Sequence, residues 1–151
     1  MYSILLILHS LFRWAVLASL LYAIVRAYQG YTARLAFTPM DNSVRHWTAT
    51  LVHLQLVFGF TLYMISPVIQ AFRQQGLQAR GPLAFFGLVH ISLMLLAVVL
   101  ITIGSAMAKR QSEDRLKFRT MFLWFSAGLI VIFLAIPWPF SPFANRPYLR
   151  F

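Results

Sequence analysis

Four long apolar stretches limit what this chain can fold into. They lie at about 3–26, 46–66, 82–108 and 119–136, and each supplies the roughly 20 mainly apolar residues that an α-helix needs to cross a bilayer. Over the whole chain 60% of residues are hydrophobic and 11% are charged, whereas soluble domains average about 45–50% and about 25%. We therefore predict an all-α integral membrane protein that lies in the lipid bilayer and crosses it four times.

The ends of the stretches predict how the spans are connected. Pro67 follows the second stretch, Pro82 opens the third, and Pro137 and Pro139 end the fourth, at positions where a missing backbone N–H costs little. Candidate N-caps of the second helix are Asp41, Asn42 and Ser43. Because short connections join antiparallel neighbours, we predict an up-down-up-down four-helix transmembrane bundle. It forms a single domain over residues 1–151, with both termini on one side.

The positive charges predict an orientation. The first and third connections carry Arg26, Arg34, Arg45, Lys109, Arg110, Arg115, Lys117 and Arg119, and the second connection and the tail carry Arg73, Arg80, Arg146 and Arg150. Cytoplasmic loops carry an excess of Lys and Arg. We therefore expect the first and third connections in the cytoplasm and both termini outside, which is the periplasm if the cell is a Gram-negative bacterium.

Two further features of the composition exclude function classes. The net charge is +10, but the basic residues lie between apolar stretches and form no basic patch interleaved with aromatic residues, so nucleic acid is not an expected partner. The chain contains no Cys, which excludes disulfides, thiolate metal sites and cysteine nucleophiles.

Polar side chains at membrane depth are costly and usually functional. Within the predicted spans they are His9, Arg13, His53, Gln55 and His90. The predicted spans contain no Asp or Glu, which disfavours a proton pump or a cation transporter, and the chain shows no internal repeat of the kind that transporters use.

The depths of two histidines are similar. His9 lies roughly 9 Å and His90 roughly 12 Å from the outer ends of two helices that run in the same direction. Gly59 and Gly128 come near that level in the other two helices. Two imidazoles at one level, with space beside them, would suit a haem b, which takes axial nitrogen ligands in bundle cores. We therefore expect His9 and His90 to be the axial ligands.

Arg13 and His53 have more than one interpretation. Arg13 follows His9 by one turn and shares its face, so it can neutralise a haem propionate or an anionic quinone headgroup, or extend outward to the interface. His53 lies deeper in the second helix and can be an alternative ligand, contact a quinone or stabilise the macrocycle. Histidines in spans can also simply form interhelical hydrogen bonds, and glycines can simply allow close helix packing.

Several motifs point to a known family. They are HSLFRW at 9–14, HLQL at 53–56 followed by Gly59 and Leu62-Tyr63, ITIG at 101–104 and IPWP at 136–139. They resemble a family of short four-span bacterial membrane proteins labelled cytochrome B, over most of the chain except the loop at 70–80 and the tail after Phe140. The resemblance implies a haem-binding or electron-transfer role in the bacterial inner membrane. It makes His9, His53, His90 and Arg13 candidate functional residues, and leaves open which pair ligates.

Two functions follow as hypotheses. The first is a small b-type cytochrome that exchanges electrons with quinone or quinol, or with a respiratory partner. The alternative is a cofactor-free structural or assembly subunit of a membrane complex, whose histidines only bond between helices. The chain has 14 Phe residues, which suit broad contact with lipid, with a membrane-protein partner or with further copies of the chain.

Overall fold

Five α-helices form the chain over the residues that the structure describes, which are 1–141, 144 and 146–148 of this computed structural model. They are α1 (Tyr2–Thr32), α2 (Pro39–Ile65), α3 (Pro67–Gln75), α4 (Gly81–Arg110) and α5 (Asp114–Ala135). Helices α1, α2, α4 and α5 are long and apolar enough to cross a membrane. Arg150, which the charge count places outside, lies beyond the described residues.

The four long helices form the predicted bundle. Helix α1 packs against α2 and α5, and α5 packs against α4. The seam between α2 and α4 closes the ring and is the most sparsely packed of the four. The all-α, up-down-up-down bundle is thereby confirmed. Its outer surface exposes large apolar side chains along every span, such as Tyr22, Val57, Leu96 and Ile130, which indicates that lipid surrounds the protein.

The core of the bundle lies closer to the end opposite Met1. The largest side chains buried there include Leu20, Ile101, Phe118, Met121 and Phe125, each no more than 1% exposed. Small residues allow the helices to approach, since a Cβ atom at Gly30 would collide with the ring of Phe118. Close contact through small residues is how helices associate in lipid, where hydrophobic burial supplies no driving force between them.

Helix α2 begins earlier than the predicted residue 46, because a capping box starts it. The hydroxyl of Thr38 accepts a hydrogen bond from the Asp41 N–H at 3.3 Å, and the Asp41 carboxylate accepts one from the Thr38 N–H at 2.9 Å. This reciprocal pair satisfies two backbone donors at the helix start. The predicted N-caps Asp41, Asn42 and Ser43 are therefore wrong, since Thr38 is the N-cap and Asp41 is the third helical residue.

Two arginines assigned to the first connection lie inside helices instead. Arg26 pairs with the buried Asp41, with 2.7 Å between Nε and Oδ1, and so ties α1 to α2. Arg45 is also buried and donates from Nη1 to the Ser105 hydroxyl at 2.6 Å and to the Ser105 carbonyl at 3.1 Å on α4. Helix α1 continues to Thr32, beyond the predicted end at 26.

Helix α3 is absent from the prediction. Ser66 is extended, with φ −70° and ψ 130°, and Pro67 then occupies the first helical position. The short helix buries Ile69 and places the ring of Phe72 against Gly87 of α4. It therefore covers the bundle at the end where the chain begins.

Candidate functional site

His90 follows an irregular turn of α4. Residues Phe85–Val89 form a π-helical turn, and the His90 N–H donates to the Phe85 carbonyl five residues earlier. The hydroxyl of Tyr63 on α2 donates to the Gly87 carbonyl inside that turn at 2.9 Å. Single π turns inside α-helices are frequent at functional sites. Here the wider turn shifts the register of α4 just ahead of His90. The hydrogen bond from Tyr63 of α2 holds this turn in place.

The imidazole of His90 has a defined tautomer. Its Nδ1 lies 2.8 Å from the carbonyl oxygen of Ala135, the last residue of α5. The final carbonyls of a helix have no intrahelical donor and need a partner. Because a carbonyl oxygen only accepts, Nδ1 carries the proton and Nε2 carries the lone pair. Metal-ligating histidines are oriented in this same way, by a hydrogen bond from the nitrogen that does not bind the metal.

His9 of α1 rests against a glycine of α2. A Cβ atom at Gly59 would lie 3.1 Å from Cε1 and 3.5 Å from Nδ1 of the imidazole, so the missing side chain makes room for the ring. The amide Nε2 of Gln55 donates to the His9 carbonyl at 2.9 Å. Two residues of α2, four apart on one face, thus position this part of α1.

A cavity of about 160 Å³ lies between the four spans, and both His9 and His90 line it. Its walls are mostly apolar, with side chains such as Val52, Met94 and Ile132. An adjoining cavity of about 120 Å³ also touches both histidines and extends towards α3. The structure thus brings two imidazoles from parallel helices to one space between the spans.

Three residues that line the cavity carry a buried polar atom without a hydrogen-bond partner among the described residues. These atoms are Nδ1 of His9, Nε of Arg13 and Oε1 of Gln55. A buried polar atom left unsatisfied costs about 1–3 kcal/mol, and such atoms in native proteins need an explanation, for which a bound group is one. Their convergence on one cavity indicates a site for a ligand with polar groups.

Two arginines line the cavity. Arg13 lines it, as does Arg146 from the segment after α5, and none of the described carboxylates does. The Arg13 guanidinium donates from Nη2 to the backbone carbonyl of Tyr148, and the Arg146 guanidinium lies 5.4 Å from the ring centre of Phe86. An anionic group on the ligand would complement these two cations.

From the sequence alone, Arg146 is only one of the positive charges after the fourth span. The chain turns back over the bundle after α5, where the Trp138 N–H donates to the Ile136 carbonyl at 2.9 Å. The two prolines at 137 and 139 signal that turn, but the place where the tail lands depends on tertiary packing.

Two residues of the expected site lie elsewhere. His53 is exposed on the outer side of α2, where its Nε2 lies 3.0 Å from the Thr102 hydroxyl of α4. Gly128 packs α5 against the side chain of Ile101. Neither residue lines the cavity, whereas His9, Arg13, Gly59 and His90 all do.

The metal-ligating side chains that line the cavity suit some cofactors better than others. The described residues contain no group of three or more His, Asp or Glu side chains that could hold a metal ion. A bare metal ion would therefore lack the three or four protein ligands that such sites use. A haem brings its own equatorial nitrogens and needs only axial ligands from the protein, which two imidazoles can supply.

The chain stands apart from the proteins with which it was compared. No protein-family model, curated protein or solved structure matches it. The resemblance to four-span cytochrome B proteins therefore stays a prediction from the sequence motifs. What the structure itself offers is an intramembrane cavity with two histidines and two arginines.

Proposed function

We propose that this chain is a small b-type cytochrome, in which His9 and His90 are the axial ligands of one haem b. One observation carries the proposal: two imidazoles from parallel spans line the same cavity, and one of them has its Nδ1–H bound to a backbone carbonyl. That bond leaves the Nε2 lone pair of His90 for a metal. The proposal agrees with the haem-binding role implied by the sequence motifs.

The ligand environment of His9 supports the same pair. Its Nδ1 lacks, among the described residues, the orienting hydrogen bond that His90 has, and the support comes instead from Gly59 and Gln55, which hold the ring and the backbone beside the cavity. An axial ligand must be held to within a fraction of an ångström by its surroundings. The two contacts from α2 provide that support.

Arg13 and Arg146 would interact with the anionic part of the cofactor. Haem b carries two propionate groups, and the guanidinium groups of Arg13 and Arg146 both line the cavity. Charge-assisted hydrogen bonds between Arg and carboxylates are among the strongest in proteins. The positive charges would also favour the reduced cofactor, which carries one more electron.

When bound, the haem would supply one-electron redox chemistry. The protein would hold it between spans in a region without water and exchange electrons between quinol or quinone in the bilayer and a respiratory partner. The location that fits is the bacterial inner membrane, with the cavity in the outer half and both termini outside. The excess of Lys and Arg in and next to the first and third connections supports that orientation.

An absorption spectrum tests the proposal. Protein purified in detergent from haem-replete cells should show the Soret band of a low-spin b-type haem, with about one haem per chain. His90→Ala should abolish the low-spin spectrum. His46→Ala is the control and should preserve it, because His46 is exposed at the start of α2 and lies outside the cavity.

A colourless protein from haem-replete cells would refute haem binding. If that protein also co-purified with a larger complex, the structural or assembly subunit would be the better interpretation. Its partner could then be another membrane protein or further copies of the chain.

A further inference from the structure

His53 is a polar side chain on the lipid-facing surface at the middle of a span. It lies roughly 20 Å along the axis from either end of α2. Water is not present at that depth to satisfy the ring, and a charged imidazole there would be expensive. His53 is therefore a neutral imidazole whose hydrogen-bond partners must come from protein or from molecules dissolved in the bilayer.

The tautomer of His53 follows from its neighbour. The hydroxyl of Thr102 donates to the Val98 carbonyl at 2.7 Å. A hydroxyl has one hydrogen, and we assign it to the shorter contact, with the Val98 carbonyl, so that the Thr102 oxygen accepts from Nε2 of His53 at 3.0 Å. With this assignment Nε2 carries the proton and Nδ1 carries a lone pair. Among the described residues Nδ1 has no hydrogen-bond donor.

The surroundings of this lone pair are apolar. Val57 lies one turn along α2 from His53 and is 59% exposed, and Val99 lies one turn from Thr102 on α4 and is 51% exposed. These residues border the sparsely packed seam between α2 and α4. The seam thus presents a lipid-accessible apolar surface with a single, oriented hydrogen-bond acceptor.

We propose that this acceptor binds the headgroup of a quinol dissolved in the membrane, whose hydroxyl donates to Nδ1 of His53. Lipid acyl chains have no donor to offer at this depth. A quinol has two hydroxyl groups, a flat ring that fits beside valine side chains, and an apolar tail that stays in the lipid. The choice of occupant rests on the proposed electron-transfer function, whereas the acceptor itself is a feature of the fold.

A second copy of the chain fits this acceptor less well. Two copies related by a twofold axis at His53 would bring one lone pair against the other. The hydroxyls of Thr50 and Thr61 on α2 already donate within their own helix, to the His46 carbonyl at 3.0 Å and to the Val57 carbonyl at 2.9 Å. A molecule with its own hydroxyl groups is the better match.

The proposed site lies beside the cavity of His9 and His90. Val98, whose carbonyl orients Thr102, lines that cavity, and so does Leu56, three residues from His53 on α2. A quinol at His53 would therefore contact the outer side of the same seam whose inner side forms the cavity wall.

The test uses the full-length protein in phospholipid nanodiscs, with histidine labelled with nitrogen-15. The probe is a decyl-substituted benzoquinol, and the control ligand is its dimethyl ether, which has a similar shape and no hydroxyl donor. We expect the Nδ1 resonance of His53 to be that of an unprotonated nitrogen and to shift with the quinol but not with the ether. A protonated Nδ1, no shift, or equal shifts with both ligands would overturn the proposal.

Variants extend the test to affinity. His53→Leu should weaken quinol binding about tenfold, the value of one hydrogen bond to a buried group. Thr102→Val removes the acceptor for the Nε2 proton of His53, so the imidazole can adopt either tautomer. Quinol binding should therefore weaken severalfold. Thr50→Val is the matched control and should have no effect, because that hydroxyl bonds within its own helix. Unchanged affinity in both of the first two variants would contradict the proposal.

Two further measurements on the same samples separate the possible failures. Absorbance reports haem independently, so a colourless protein that shows the quinol-dependent shift refutes the proposed cytochrome and supports this site. Light scattering reports the oligomeric state. A dimer that His53→Leu dissociates, with no quinol-dependent shift, would show that the occupant is a second copy and would overturn the quinol proposal.

Discussion

The change Gly59→Ala tests how the structure positions His9. The added methyl group would lie 3.1 Å from Cε1 and 3.5 Å from Nδ1 of the imidazole. Carbon atoms in good contact lie about 3.5–4.0 Å apart, so the ring must move by roughly half an ångström or tilt. That is about the tolerance within which a functional side chain has to be held.

The expected loss concerns the site rather than the fold. Replacing glycine by alanine inside a helix favours folding by up to about 1 kcal/mol, which offsets the crowding at His9. We therefore expect the stability of Gly59→Ala to change by less than about 1 kcal/mol. In the proposed cytochrome, the haem should become partly high-spin and dissociate about tenfold more readily, because the added methyl group would strain the bond from His9 to the iron.

Gly128→Ala provides the matched control. Its added methyl group would press on the side chain of Ile101, away from the cavity. Overpacking a helix interface costs about 1–3 kcal/mol, so this variant should lose stability while each folded molecule keeps a low-spin spectrum. The assay is a titration with denaturing detergent, followed by circular dichroism for the helices and by absorbance for the haem. A Gly59→Ala protein with an unchanged spectrum and unchanged haem dissociation would refute the inferred position of His9.

Two further predictions concern charged residues. Asp41→Ala should lower the free energy of unfolding by about 1–3 kcal/mol, because it removes the capping box and the partner of Arg26. The same detergent titration measures it, and Asp114→Ala, which breaks a half-exposed pair with Lys117, should cost less than Asp41→Ala. In the proposed cytochrome, Arg13→Gln should lower the midpoint potential of the haem by roughly 50 mV, because one cation beside the reduced cofactor would be lost. Redox titration measures the potential, Arg73→Gln outside the cavity is the control, and an equal shift in both variants would contradict a local effect of Arg13.

The spans could be predicted because lipid imposes a simple requirement. Every backbone polar group in the bilayer must be satisfied within the segment, so a long apolar stretch has little choice but to be a helix. The helix ends are harder, because they depend on polar partners that apolar periodicity does not show. Thr38 and Asp41 start α2 before its apolar part begins, and Asp41 pairs with Arg26 inside α1.

The site could be predicted only in part. Depth along the helix indicated that His9 and His90 lie at one level, but depth does not give the face on which a side chain lies. Gln55, Leu56 and Gly59 line the cavity with helical spacing, and His53, two residues before Gln55, must then point away from it. That spacing is visible in the sequence, whereas the π turn ahead of His90 and the return of Arg146 depend on tertiary contacts.

The prolines after α5 have a consequence beyond ending a helix. In a continuing α-helix the carbonyl of Ala135 would accept from the N–H of the residue four positions later. That residue is Pro139, which has no N–H. The usual helical donor to the Ala135 carbonyl is therefore missing, and this oxygen accepts a hydrogen bond from the imidazole of His90 instead. A turn that looks like a stop signal thus decides which nitrogen of a histidine on another helix keeps its lone pair.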